Sequence, residues 1–138
     1  MTYELFIGDR SFSSWSMRGW LMLAAFDLPH RTQMAGLYSG TFQEDLADLA
    51  PARFVPVLRT PDGHVIQDTL AMAETLAERH PDAGLWPADP AQRAKARWLV
   101  AEMHSGFAAL RAECPMNLRD AWTGFAPSQN VRVDLARI

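Results

Sequence analysis

The hydrophobic positions of this chain change period several times, and each change marks an element. Residues 2–8 alternate, with Tyr3, Leu5 and Ile7 on one side, and the alternation stops at Gly8-Asp9, which predicts a short buried strand. From Ser14 to about Phe26 the apolar residues recur at helical spacing. Met17, Trp20 or Leu21, Ala24 and Leu28 form one stripe, and Pro29 ends the helix. A second strand is predicted near 31–36. Thr41 then reads as an N-cap, because Glu44 three residues on completes a capping box before a helix to about Leu49.

Val55-Pro56-Val57-Leu58 and His64-Val65-Ile66, joined through Thr60-Pro61-Asp62-Gly63, predict an antiparallel hairpin with a Pro-Asp-Gly turn. Asp68 or Thr69 caps a third helix, whose apolar positions Leu70, Met72 or Ala73 and Leu76 keep the helical period to about Arg79. The segment HPDAGLWPADP holds three of the nine prolines and a glycine, so it reads as a linker in which Leu85 and Trp86 are the anchors. Beyond it no strand is predicted. Residues 91–113 read as one long helix closed by Cys114-Pro115. A loop follows to Pro127, and Ser128 caps a last helix carrying Val131, Leu135 and Ile138. The expected organisation is a βαβαββα domain over 1–80, a linker over 81–90 and a helical region over 91–138. Two helices are small for an independent core, so this region is expected to be incomplete here or completed against a partner chain.

Composition narrows the function. With 138 residues, 49% of them hydrophobic, the chain has enough apolar surface for one domain, or for one small domain and part of a second. A formal charge of −3, with 13 scattered Lys and Arg, offers no surface for nucleic acid or anionic lipid. No apolar run approaches membrane-spanning length, and the N-terminus lacks the features of a signal peptide, so a cytoplasmic location is expected. The lone Cys114 excludes an internal disulfide and an all-cysteine metal site. His30, His64, His80 and His104 stand apart without ligand spacing, so no metal site is expected. There is no GxxxxGK[ST] loop, GxGxxG turn or HExxH pair.

The order βαβαββα is the thioredoxin-like arrangement, in which the mouth of the first helix is the reactive place. Redox members put Cys-x-x-Cys there and use the helix N-terminus to stabilise a thiolate. Here the mouth reads Ser13-Ser14-Trp15-Ser16, with no thiol, so dithiol chemistry is excluded. A site that holds the thiolate of another molecule remains.

Three stretches carry a family resemblance. SSWSMR (13–18) resembles the helix-mouth serine motif of the cytosolic bacterial glutathione S-transferases of the serine type, nearest to the zeta and theta classes. LAPARFVPVLRTPDGHVIQDTLAMAETLAERHP (49–81) resembles the family's glutathione-binding strand, turn and helix, and LWPADPAQRAKARWLVAEM (85–103) its linker and the start of its helical domain. Together, in order and spacing, they cover about residues 3–113. The resemblance implies a thioredoxin-like N-terminal domain followed by the beginning of an all-α C-terminal domain, with glutathione as co-substrate and a small electrophile as substrate. It also implies a homodimer.

Residue by residue, the resemblance implies that Ser13 donates a hydrogen bond to the glutathione sulfur, with Ser14 an adjacent donor or substitute. It implies that Pro56 follows a cis bond and that the backbone of Val55 pairs with the cysteinyl part of glutathione. Asp68 and Thr69 would grip the γ-glutamyl end. Local sequence alone also allows Ser13, Asp68 and Thr69 to be plain helix caps and Pro56 a strand-edge proline. Ser11 reads as loop and Ser16 as helix interior. Phe54 stands where the family commonly has a Lys or Gln for the glycyl carboxylate, leaving Arg53, Arg10 and Arg18 as nearby cations. Trp20 and Trp98 read as core or domain interface, Trp15 as either packing or pocket, and Cys114 as structural. A non-catalytic module for binding or interaction is the competing reading. A glutathione-dependent reductase would need a cysteine in the helix mouth.

Overall fold

The computed structural model describes residues 2–138. A four-stranded mixed sheet is built from β1 (Tyr3–Ile7), β2 (His30–Met34), β3 (Val57–Arg59) and β4 (Val65–Gln67), in the order β2-β1-β3-β4. β1 runs parallel to β2, pairing Leu5 with Thr32, and antiparallel to β3, pairing Leu5 with Leu58. The β3–β4 hairpin turns at Thr60–Gly63, where Gly63 adopts φ +89° and Thr60 N donates to His64 O at 2.9 Å. A positive φ at that corner is why a glycine ends the Pro-Asp-Gly turn.

The pleat of β1 sends alternate residues to opposite faces, and both faces are covered. Tyr3, Leu5 and Ile7 join Leu58 under α1 (Ser14–Ala24) and α3 (Thr69–Arg79), packed on Leu23, Met72 and Leu76. Phe6 points the other way, into Ala35, Leu46, Leu49 and Val57. That second layer is thin: α2 (Phe42–Asp45) is one turn, followed by a 3-10 turn at Ala47–Leu49. The thioredoxin-like sheet is followed by a helical C-terminal portion, α4 (Pro90–Ser105), α5 (Ala108–Glu113) and α6 (Gln129–Leu135).

Several sequence expectations need correction. The Thr41–Glu44 capping box does not form. Thr41 Oγ1 instead donates to Asp45 Oδ2 at 2.9 Å and shares a hydrogen bond with Ser39, so it caps no backbone N–H. The long helix expected over 91–113 is two helices. Gly106 leaves helical geometry at φ −104°, ψ −169°, Phe107 is left-handed at φ +60°, and a Cβ on Gly106 would lie 2.8 Å from the Glu102 carbonyl. Trp20 and Trp98 are 43% and 64% exposed, so neither is core within this chain. Of the stripe expected on α6 only Val131 is buried; Leu135 and Ile138 are exposed. In the linker, Leu85 packs against the α1–α3 core as expected, and Trp86 lies beneath the Arg97 guanidinium.

Candidate functional site

The corner between β1 and α1 is organised by one aspartate. Asp9 Oδ1 accepts from Ser11 N at 2.7 Å and Phe12 N at 3.1 Å, and its carbonyl accepts from Ser13 N at 2.9 Å. Such a side-chain turn reverses the backbone without a glycine. It delivers Ser13 to the N-cap of α1 in extended conformation, where its Oγ accepts from Ser16 N at 3.3 Å. The Ser13 hydroxyl also donates to Ser16 Oγ at 2.7 Å, and Ser16 Oγ accepts from Gly8 N at 2.9 Å. Ser16 is only 1% exposed. Two hydroxyls and a buried strand-end N–H thus form one chain. Sequence reasoning assigned Ser16 no task, although a serine three residues after a cap, on the buried side of a helix, needs a partner.

Opposite the corner lies the segment before β3. The Val55-Pro56 peptide bond is cis, as is Ala50-Pro51. Pro56 is buried against α1 at Gly19, where a Cβ would fall 2.8 Å from Pro56 Cγ, so only glycine lets the helix approach so closely. The loop is braced from β4: Gln67 Oε1 accepts from the backbone N–H groups of Arg53 and Phe54, at 2.9 Å for Phe54. Asp68 follows at φ +86° and caps α3, with Oδ1 accepting from Leu70 N at 2.8 Å and Ala71 N at 3.3 Å. A non-glycine residue at such a φ is strained, and its side-chain hydrogen bonds hold it there. Its other oxygen, Oδ2, lies 2.7 Å from His104 Nε2 on α4.

These segments enclose a cleft of about 530 Å³, within the range of small-molecule sites. Ser13 and Trp15 line it from α1, Leu37 and Phe42 from the thin layer, Phe54, Val55 and Pro56 from the loop, Gln67, Asp68 and Thr69 from the head of α3, and His104 and Arg111 from the helical portion. Five of the six expected site residues therefore meet in one cleft. Ser14, the first residue of α1, is half-buried and is not among the lining residues. Of the expected cations, Arg53 is exposed and Arg10 lines a different, smaller cavity. Phe54 stays 68% exposed at the rim.

The helical portion brings Arg111 and His104, which the sequence reading did not place here, to Trp15 and to Arg18 of α1. Arg18 and Arg111 both place guanidinium carbons over the Trp15 ring, 4.5 and 4.6 Å from its centroid, and His104 meets the same ring edge-on at 5.6 Å. Arg111 Nε donates to Gly106 O at 3.2 Å. Arg18 Nη1 and Arg111 Nη2 are buried and have no partner among the described residues. Burial, and then the Arg111 charge, lowers the Arg18 pKa from its ordinary value. Among the described residues no group of three or more His, Cys, Asp or Glu side chains gathers to hold a metal, and no helix is long and apolar enough to cross a membrane.

Comparison with known proteins bears on the family and the fold. Residues 12–79 match the family model described as the glutathione S-transferase N-terminal domain. A probable maleylacetoacetate isomerase of Caenorhabditis elegans is 39% identical over 101 residues, 73% of this chain and 46% of that protein. Its Drosophila melanogaster counterpart is 32% identical, over 73% of this chain and 42% of the relative. The chain thus spans about half the length of the curated relatives it matches. A glutathione transferase homolog from Burkholderia, solved with bound glutathione, superposes with TM-score 0.67 at 29% identity, over 81% of this chain and 58% of that one. The fold is also shared with a diazinon-metabolizing glutathione S-transferase of the silkworm Bombyx mori, with TM-score 0.77 at 21% identity, over 99% and 64%.

Proposed function

The chain belongs to the glutathione S-transferase family, and from that premise we propose that it binds glutathione in the cleft, holds its thiol as thiolate through Ser13, and adds it to a small electrophile. With a cis alkene conjugated to a carbonyl, the same step yields an isomerase. The sulfur pair forms a C–S bond, the alkene pair moves toward the carbonyl as an enolate, the single bond rotates, and the pair returns to expel the thiolate. In this reading the backbone of Val55, set by the cis bond to Pro56, pairs with the cysteinyl part of glutathione. Asp68, Thr69 and the free N–H groups at the head of α3 receive the γ-glutamyl ammonium and carboxylate. Ser14 is the neighbouring donor. Residues 1–80 form the glutathione-binding domain, 81–90 the linker and 91–138 the start of the helical domain, in a cytoplasmic homodimer.

The observation that carries this reading is that Ser13, the cis Val55-Pro56 bond and the Asp68-Thr69 pair, far apart in sequence, line one cleft. The energetics are sufficient. Holding a thiol of ordinary pKa about 8.5 as thiolate at neutral pH needs a shift of roughly two units, about 2.7 kcal/mol. A hydrogen bond to a charged group supplies about 1.5–3 kcal/mol, and the N-terminus of α1 about 0.3–1 kcal/mol. The hydroxyl chain supports the donor role, because its rotors can reverse. With Gly8 N–H donating to Ser16 Oγ, the Ser16 proton can turn to Ser13 Oγ, which frees the Ser13 proton for a sulfur.

The thiolate absorbance of bound glutathione, titrated against pH, tests this. In wild type the bound thiol is expected to ionise about two units below free glutathione, and Ser13→Ala returns it most of the way while glutathione still binds. Ionisation of wild-type-bound glutathione at the free value removes the catalytic reading. The second reading, a glutathione-binding module without chemistry, is favoured by the Ser13 proton already being donated to Ser16, and that same outcome would establish it.

A further inference from the structure

We propose that the cleft prefers a thiol co-substrate with an uncharged glycyl end, a γ-glutamylcysteinyl thiol whose C-terminal carboxylate is masked as an ester or amide, and that Phe54 sets this preference. The inference rests on the glutathione binding proposed above and narrows the class of co-substrate.

The charges that line the cleft are gathered in one part of it. Asp68, His104 and Arg111 belong to the head of α3 and to the helical portion. Leu37, Phe42 and Phe54 wall the part formed by the thin layer and the loop before β3, and no cation lines it among the described residues. Phe42 and Val55 pack against the thin layer of the core. Leu37 and Val55 flank Gly8, where a Cβ would lie 3.0 Å from Leu37 Cδ2 and 3.2 Å from Val55 Cγ2. The apolar wall therefore continues directly from Val55.

Direction along the bound peptide assigns that wall to the glycine. With the γ-glutamyl end at Asp68 and Thr69 and the cysteinyl backbone on Val55, an extended tripeptide advancing about 3.3–3.6 Å per residue carries its glycine away from α3, toward Phe54 and Leu37. A carboxylate there meets no positive charge. The nearest backbone donors, the N–H groups of Arg53 and Phe54, are already given to Gln67 Oε1. The Gln67 amide nitrogen is a neutral donor, which serves an ester or amide carbonyl as well as a carboxylate. Past Leu37 lies another cavity, which shares that residue and whose charged side chains are Asp9 and Asp45, so an anion on this side gains repulsion. Bringing a carboxylate against apolar side chains without a partner costs free energy, whereas an ester sheds less hydration and adds apolar contact with the Phe54 ring at the rim.

Calorimetric titration of the intact 138-residue chain with S-methylglutathione, its glycyl ethyl ester and its glycyl amide tests this, because none of the three has a free thiol to transfer. The ester is expected to bind about threefold more tightly than the acid, and the amide at least as tightly as the acid. Phe54→Lys places a cation at the rim and should shift the ester-to-acid ratio about two- to fivefold toward the acid, the range of an exposed ion pair. Phe54→Leu should keep the ester preference, which separates added charge from lost packing, and Arg53→Met should leave the ratio as in wild type. Tighter binding of the acid than of the ester by wild type, a ratio unmoved by Phe54→Lys, or a ratio changed by Arg53→Met would overturn the inference while leaving glutathione binding in place. Binding of none of the three would overturn both. An ester preference in a protein that does not lower the pKa of bound glutathione would uphold the inference and overturn only the catalytic reading.

Discussion

At the scale of single residues, Ser16 holds the helix mouth together from inside α1. Its hydroxyl accepts the buried Gly8 N–H and meets the Ser13 hydroxyl, so one oxygen ties the end of β1 to the cap of α1. Ser16→Ala leaves the Gly8 N–H without an acceptor and is expected to cost about 1–3 kcal/mol of stability, read from a denaturant melt. It should also raise the pKa of bound glutathione, by less than Ser13→Ala, because the donor remains and only its polarising neighbour is lost. A bound thiol pKa equal to that of wild type would show that Ser16 is purely structural. Trp15, ambiguous as a residue type, is a platform: two guanidinium groups and an imidazole meet its ring. Nothing at residue level announced that, since its partners lie 3, 89 and 96 residues away in sequence.

At the scale of elements, α3 and α4 are joined by two polar side-chain contacts that bridge the sheet unit and the helical portion. Asp68 meets His104, and Arg97 clasps Glu74 with both nitrogens at 2.7 and 3.0 Å. The Arg97 hydrogen bonds hold the Glu74 carboxyl below its ordinary pKa. Because folding lowers this pKa, the stabilisation is present above the unfolded value of about 4.3 and is lost as pH falls through the folded value. Both side chains are partly exposed, so solvent screens the pair and the contribution is small. Glu74→Gln should therefore lower the melting temperature at pH 7, and the difference from wild type should shrink below about pH 4; a pH-independent difference would contradict this. The break between α4 and α5 matters as much, because the extended Gly106 and left-handed Phe107 redirect the chain and α5 carries Arg111 to the cleft.

At the scale of the whole molecule, the helical portion leaves large apolar side chains in solvent. Trp98 and Leu99 on α4 are 64% and 54% exposed, and Met17, Trp20 and Leu21 expose one face of α1. The homodimer proposed above gives the α4 face a partner. Sedimentation should then report twice the chain mass, and Trp98→Glu should shift it to monomer while leaving the sheet's circular dichroism intact. A wild-type monomer at micromolar concentration would remove the dimer from the proposal.

The sequence by itself determined the order of elements as far as the third helix, the strand ends at Gly8-Asp9, the Pro-Asp-Gly hairpin and the caps Ser13 and Ser128, and narrowed the cap of α3 to Asp68 or Thr69, because each depends on neighbours within a few residues. It also placed the cis-proline loop, through its family resemblance. The failure at Thr41 has the same scale but another cause: its hydroxyl donates to Asp45 Oδ2 and meets Ser39 Oγ, and its oxygen accepts from no N–H of the first turn. The single helix expected over 91–113 failed because periodicity continues through Gly106 while the backbone does not. Only the tertiary structure brought His104 and Arg111 to the cleft and left Trp98 outside the core. Burial and unmet hydrogen bonds belong to distant segments meeting in space, and no period along the chain encodes which segments those are.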